Sequence, residues 1–163
     1  MSTPQTVSEK QRRAAQVAHV LARAVREHEA AAVDVLRILR HELRRLNTGN
    51  KLTVPTRSVE AQAVVDKYSD LGEEIPNNNS DEALHADHVW PITEQHLRGI
   101  TSVEGWTSEL QRVATVVCVT ARENYRLMVI EKTTQGPEKY ALAGVTFTST
   151  DLPWMSAGDS SEA

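Results

Sequence analysis

The chain has 163 residues, room for one compact domain or a small domain with a helical appendage, but not for two full-sized domains. Hydrophobic residues make up 40% and charged ones 25%, an ordinary globular balance, yet only 4% are aromatic and alanine supplies much of the apolar share, which favours helices over a β-sandwich. The single cysteine, Cys118, excludes an internal disulfide and any zinc site that needs two or more thiolates, so a reducing cytosol is the simplest setting.

No run approaches the roughly 18 consecutive apolar residues of a membrane span, and the opening MSTPQTVSEKQRR lacks the apolar core of a signal peptide. A cytoplasmic protein that is not exported is the expectation. The net charge of −4 hides an asymmetry: residues 1–50 hold nine Lys or Arg against five acids, whereas the remainder holds nine against seventeen. Any attraction to phosphate from bulk charge therefore falls to the front segment.

From Ser8 to Leu46 there is no Pro or Gly, and apolar residues recur at Val17, Leu21, Ala24, Ala31, Val35, Leu39, Leu43 and Leu46 in steps near three and four. This predicts one long amphipathic helix or a helical hairpin. Arg12, Arg13, Arg23, Arg26, Arg37, Arg40, Arg44 and Arg45 lie on its other side among acids at helical spacing, a solvated face without aromatic rings to stack bases. A straight helix of about 39 residues would extend nearly 60 Å, so it must bend, break or find a partner. The second half, with Val35, Leu36, Leu39, Leu43 and Leu46, is expected to pack on the body. The alanine-rich first half, Ala14 to Ala32, is expected to be the more exposed and to offer a surface for a homodimer.

The helix is expected to stop at Asn47-Thr48-Gly49-Asn50. After Pro55, SVEAQAVVDKYSDLGEEI reads as a second helix with Val59, Ala63, Val64 and Tyr68 on one side. Ile75-Pro76-Asn77-Asn78-Asn79-Ser80 cannot continue a helix and is the expected boundary between segments. Beyond it, LHADHVWPI from Leu84 is expected to begin as a helical turn and continue as a short strand, and Thr101 to Arg112 to be helical. Val116-Val117-Cys118-Val119-Thr120 is the best strand of the chain. Thr120 and Glu123 stand at capping-box spacing, so a helix should start there and run through Asn124, Leu127, Met128 and Ile130. Tyr140 to Thr148 offers one more strand or two short ones, and the tail from Ser156 is expected to be disordered. The fold class is therefore α+β and predominantly helical, in segments 1–50, 51–80, 81–150 and a tail 151–163.

The segment from Asp87 to Lys132 thus reads as strand, long irregular loop, strand, helix, with Asp87-His88 in the first strand and Asn124 in the first turn of the helix. A carboxylate and an amide oxygen are hard ligands suited to Mg²⁺, with Mn²⁺ as the alternative, and an imidazole can take a proton from water near neutral pH. Phosphodiester hydrolysis needs both functions. The plainer reading makes His88 a half-buried strand residue, Asp87 an acceptor of local hydrogen bonds and Asn124 a residue that helps the helix start.

DHVWPI, followed about thirty residues later by VVCVTARENYRL, resembles the ββα-metal or HNH endonuclease motif over residues 82–133. The resemblance implies a ββα domain within 81–150 that hydrolyses DNA, with Asp87 and Asn124 as metal ligands and His88 as general base. Two departures stand out. The position before the second strand, where the family often has an Asn or His to orient the base, reads Val113-Ala114-Thr115, and one cysteine cannot hold the structural zinc of many members. The segment between the strands is also acidic for a DNA surface, with Glu94, Glu104 and Glu109 against Arg98 and Arg112. The alternative is a non-catalytic helical interaction protein that keeps a degenerate ββα domain.

Other candidates are weaker. His85, His88 and His96 could form a zinc site only if the first two shared a helix face. Cys118 lies in an apolar run and reads as a buried core thiol. Trp90, Trp106 and Trp154 read as packing anchors.

Overall fold

The computed structural model describes residues 7–46, 54–77 and 79–155, with the backbone alone for 44–46. The expected helix stop at Asn47 to Asn50 and the tail from Ser156 lie outside the described residues. In chain order the elements are α1 (Glu9–Arg26), α2 (Ala32–Leu46), α3 (Val59–Leu71), β1 (Leu84–His88), α4 (Glu94–Gly99), α5 (Val103–Val113), β2 (Val116–Thr120), α6 (Ala121–Ile130) and α7 (Glu138–Leu142). The fold class is α+β and predominantly helical, with one two-stranded sheet among the described residues. No described helix is long and apolar enough to cross a membrane.

Two compact units divide the chain, one from Met1–Thr48 and Pro91–Ala114, the other from Gly49–Trp90 and Thr115–Ala163. The dividing lines differ from the segments read in the sequence, because the chain leaves the second unit after β1 and returns to it at β2. The Ile75 to Ser80 run lies inside the second unit.

In the first unit, α1 packs on α5, α4 and α2. Ser8 and Gln11 close a capping box at the start of α1, satisfying two backbone groups that would otherwise lack partners. Ala15, Ala18, Ala22 and Val25 recur at steps of three and four, and all four are buried. The expectation of an exposed first half is therefore overturned. Small side chains do not weaken this face; they let neighbouring helices come close. α5 contributes Trp106, Leu110 and Val113 as its buried stripe, and α2 contributes Val35, Leu39 and Leu43. The last-turn Arg26 donates to the carbonyls of Leu97 at 3.0 Å and Ile100 at 2.9 Å, so α1 supplies partners for the chain end of α4. The ring of His96 accepts the Thr93 backbone N–H at 3.0 Å through Nδ1, and its Nε2 lies 3.0 Å from Glu109 on α5.

The front helix breaks between α1 and α2 without a glycine or proline. Glu27 caps α1, and His28 takes the left-handed backbone conformation at φ 60°. The Glu29 N–H bonds the Ala24 carbonyl at 2.8 Å, and the His28 N–H bonds the Val25 carbonyl at 3.1 Å, the bond pattern of a Schellman stop. Glycine usually fills that left-handed position, which is why composition gave no sign of the break.

In the second unit, β1 and β2 pair antiparallel with Leu84 opposite Thr120 and His88 opposite Val116. The helical turn expected at Leu84 is absent, since pairing with β2 begins at that residue. The stretch 56–58 runs alongside β2: the Cys118 N–H bonds the Thr56 carbonyl and the Ser58 N–H bonds the Cys118 carbonyl, both at 2.9 Å. α3 buries Ala61 and Val64 rather than Val59 and Ala63, and Gly72 at φ 66° ends it. Of the one strand or two short ones expected over Tyr140 to Thr148, Tyr140–Leu142 belong to α7, and Phe147 makes an isolated antiparallel bridge to Ser58. Pro137 presets the helical turn, and Lys139, Tyr140 and Ala143 are buried at helical spacing. Gly136 precedes it at φ 81°, where an added Cβ would stand 2.7 Å from the Trp90 ring.

The left-handed conformation of His28 costs a β-carbon-bearing residue about 1 kcal/mol more than glycine. His28→Gly should therefore raise the unfolding free energy by up to about 1 kcal/mol in urea titration, offset in part by the freer unfolded chain. A clear loss of stability would mean that the imidazole makes contacts worth more than the backbone strain.

Candidate functional site

The two faces of the β1–β2 pair have different neighbours. Val117 and Val119 join Val89, Leu127 of α6, Tyr140 of α7, Ala143 and Val145 in one apolar cluster. Leu84 and Cys118 join Val54, Ala61 and Val64 in another, with Val116 packed against it. Because side chains alternate along a strand, Asp87, opposite Val117, lies on the α6–α7 face, and His88, opposite Val116, lies on the α3 face. The structure thus brings Asp87 and His88 into one strand, as the sequence suggested, and sends their side chains to opposite sides. His85 and His88, three apart in the same strand, likewise face apart, and no group of three or more His, Cys, Asp or Glu arranged to hold a metal occurs among the described residues.

Asp87 is buried and heavily engaged. Tyr140 donates its hydroxyl hydrogen to Asp87 Oδ2 at 2.6 Å, and the Lys139 ammonium lies 3.0 Å from the same oxygen. Lys139 is itself buried, its side chain 2% exposed, and donates to the His88 carbonyl at 2.7 Å and to Glu131 Oε1 at 2.6 Å. Three oxygens thus surround an ammonium that has three hydrogens to give. Burial, with the Asp87 charge and the hydrogen bond to it, pushes the Tyr140 hydroxyl far above its ordinary range, so it acts as a donor at every physiological pH. Sequence reasoning missed Lys139, Tyr140 and Glu131. Lys139 and Tyr140 are more than fifty positions from Asp87, and no pattern local to either residue signals the contact.

Asn124 is half-buried in the first turn of α6, on the stripe that also carries Leu127 and Glu131. It stands about two helical turns, roughly 10 Å of rise, before Glu131. The capping box that starts this helix is present as expected, and it belongs to a larger network. Glu123, 1% exposed, accepts the Thr120 N–H at 2.9 Å and the Ser58 hydroxyl at 2.5 Å through one oxygen. Ser58 Oγ in turn accepts the Ala61 N–H at 3.0 Å as the N-cap of α3. One carboxylate therefore serves the N-termini of two helices, where a negative charge is favoured by the aligned peptide dipoles. Burial nonetheless dominates and raises the Glu123 carboxyl above its ordinary value, against the lowering by its bonds to Ser58 and Thr120. Beside it, Arg126 bonds Glu60 at 3.1 Å and the Ala143 carbonyl at 2.9 Å.

Cys118, in β2, is fully buried, a core thiol as expected. Comparison of the chain with protein-family models, with curated proteins and with solved structures finds no match.

Removing the hydroxyl in Tyr140→Phe leaves the ring in place and one Asp87 bond unmade, so unfolding free energy should fall by about 1.5–3 kcal/mol in denaturant titration. A change within error would show that the Lys139 contact alone satisfies Asp87.

A carboxyl raised on folding binds its proton more tightly in the native state. Its contribution is therefore favourable at acid pH and is lost as pH rises from the ordinary glutamate range through the raised native value. Wild type should lose stability relative to Glu123→Gln across that rise, measured as the difference between their denaturation midpoints at a series of pH values. A difference that is flat with pH, or that grows in favour of wild type, would contradict the raised value.

Proposed function

We propose that the chain is an HNH-like endonuclease acting on DNA phosphodiester bonds, with His88 as the general base. Asp87 and Asn124 are the residues that would hold Mg²⁺ or Mn²⁺, and no structural zinc is involved. The observation that carries the reading is that β1 pairs antiparallel with β2, which the chain reaches only after α4 and α5, and that β2 runs directly into the capped helix α6, with Asp87-His88 in the first strand and Asn124 in the first turn of the helix. As arranged, the donors around Asp87 fit an ammonium rather than a divalent ion. An ion on Oδ2 would stand beside Lys139 Nζ, 3.0 Å from that oxygen, like charge against like. The nuclease reading therefore requires Lys139 to withdraw before an ion enters.

A second reading is favoured by the same contact and by the opposite facing of Asp87 and His88: a non-catalytic helical interaction protein that keeps the ββα shape. Self-association through α1 would then use its outer side, where Val17 and Val20 are exposed.

Plasmid nicking with Mg²⁺, Mn²⁺ or EDTA separates the two. The nuclease reading expects metal-dependent nicking by wild type that falls by about two to four orders of magnitude in His88→Ala. Equal nicking by both proteins would remove His88 from the chemistry, and no nicking by either favours the interaction reading.

A further inference from the structure

We propose that the Lys139 ammonium and the Asp87 carboxylate condense within the folded chain to an amide that ties α7 covalently to β1. The inference goes beyond both readings above and does not rest on the nuclease one: a fully condensed chain has no Asp87 carboxylate to hold an ion and belongs to the interaction reading. Three features meet at the pair. The first is proximity. Nζ lies 3.0 Å from Asp87 Oδ2, so with a C–O bond of about 1.2 Å the carbon to be attacked is no more than about 4 Å away. Two groups held together in this way react as though at very high concentration. The second is a proton acceptor, Glu131, whose Oε1 is 2.6 Å from the same Nζ. The third is a donor on the oxygen where negative charge develops as nitrogen adds: Tyr140 gives its hydroxyl hydrogen to Oδ2 at 2.6 Å.

Burial favours the product. The Lys139 side chain is 2% exposed and that of Asp87 10%. Tyr140, which holds Asp87, belongs to the apolar cluster with Val89, Val117 and Leu127, and its ring stacks on Trp154. Two charges in such surroundings carry a desolvation penalty that a neutral amide does not, and an amide shielded from water is not hydrolysed back. The atoms balance without any other reactant. Nζ gives up two of its three protons by way of Glu131, its lone pair forms the bond to Cγ, and the Cγ–Oδ1 bond breaks. Oδ1 takes both protons and leaves as water, Glu131 ends as the carboxylate it began as, and Oδ2 stays as the amide oxygen under the Tyr140 hydroxyl. Glu131, 30% exposed, lies on the side from which that water can escape. The bond closes a covalent loop from residue 87 to residue 139, restricting the unfolded chain as a disulfide would, in a protein whose single cysteine cannot form one internally.

The test is the mass of the full chain measured after denaturation, which breaks an ion pair and leaves an amide. Wild type should weigh about 18 Da less than its sequence, one water, and its tryptic digest should contain a branched fragment joining Asp87 to Lys139. Lys139→Arg, which keeps the charge, and Asp87→Ala should both have the full sequence mass. Followed at intervals after a pulse of cell-free synthesis, Glu131→Gln, which cannot carry a proton away, should condense at least about a hundredfold more slowly than wild type. Should the variants not fold, the wild-type mass and the branched fragment decide alone. Wild type that keeps its full sequence mass after prolonged incubation in the folded state would overturn the proposal, and so would a deficit that persists in Asp87→Ala. Equal rates in wild type and Glu131→Gln would overturn the route through Glu131.

Discussion

Burying the ammonium of Lys139 is the constraint on which the second unit is organised. An ion of that size moved out of water carries an effective penalty of several kcal/mol even after relaxation, so it is retained only where oxygens surround it. The three that do so come from two elements: Asp87 and the His88 carbonyl from β1, and Glu131 from the end of α6. α7 therefore docks where β1 and α6 lie side by side. That docking in turn fixes Tyr140, whose ring meets Phe147 edge-on at 5.2 Å and Trp154 in a stack. The chain after α7 is thus held by an aromatic group whose anchor is electrostatic.

The other end of the hairpin solves the opposite problem. Glu123 is a buried anion, and its partners are neutral donors instead of a cation: the Thr120 amide and the Ser58 hydroxyl. Neutral partners do not cancel the charge, which is why burial wins and the carboxyl is raised. What the arrangement gains is position. Ser58 links the start of α3 to the start of α6, and both segments flank β2, so the capped helix that carries Asn124 is set relative to the hairpin by hydrogen bonds rather than by apolar contact alone. Truncating Ser58 would leave Glu123 with one donor fewer in a place water does not reach.

Legibility in the sequence followed the range of the interactions. The strand Val116–Thr120, the capping box at Thr120 and Glu123, and the helix around Trp106 and Leu110 are written in neighbouring residues, and they stand as read. The stop after Arg26 was hidden because His28 takes a conformation normally signalled by glycine. The burial of α1 was misread because an alanine side chain offers little apolar area of its own yet permits close helix packing. Tyr140 to Thr148 looked strand-like by composition, and the buried pair Lys139-Tyr140 outweighed that local preference. The Lys139–Asp87 contact spans more than fifty positions and leaves no periodic trace.

The positions of Asp87 and His88 show why a dipeptide is weaker evidence than it looks. In a flat paired strand, adjacent side chains face apart, so a carboxylate and an imidazole next to each other in sequence serve one reacting centre only if the strand twists or ends between them. β1 does end at His88, but the Val89 N–H still bonds the Thr115 carbonyl at 3.1 Å, which keeps the backbone extended one residue further. The Lys139 ammonium on the His88 carbonyl holds that same peptide from the strand's free side. Two bonds thus fix the peptide plane that sets the direction of the His88 side chain. A backbone rotation bringing the imidazole toward Asp87 would strain both bonds, and the Lys139 ammonium that makes one of them also lies on Asp87. The orientation of the proposed base and the freedom of the proposed metal ligand are therefore a single mechanical question, answered at Lys139.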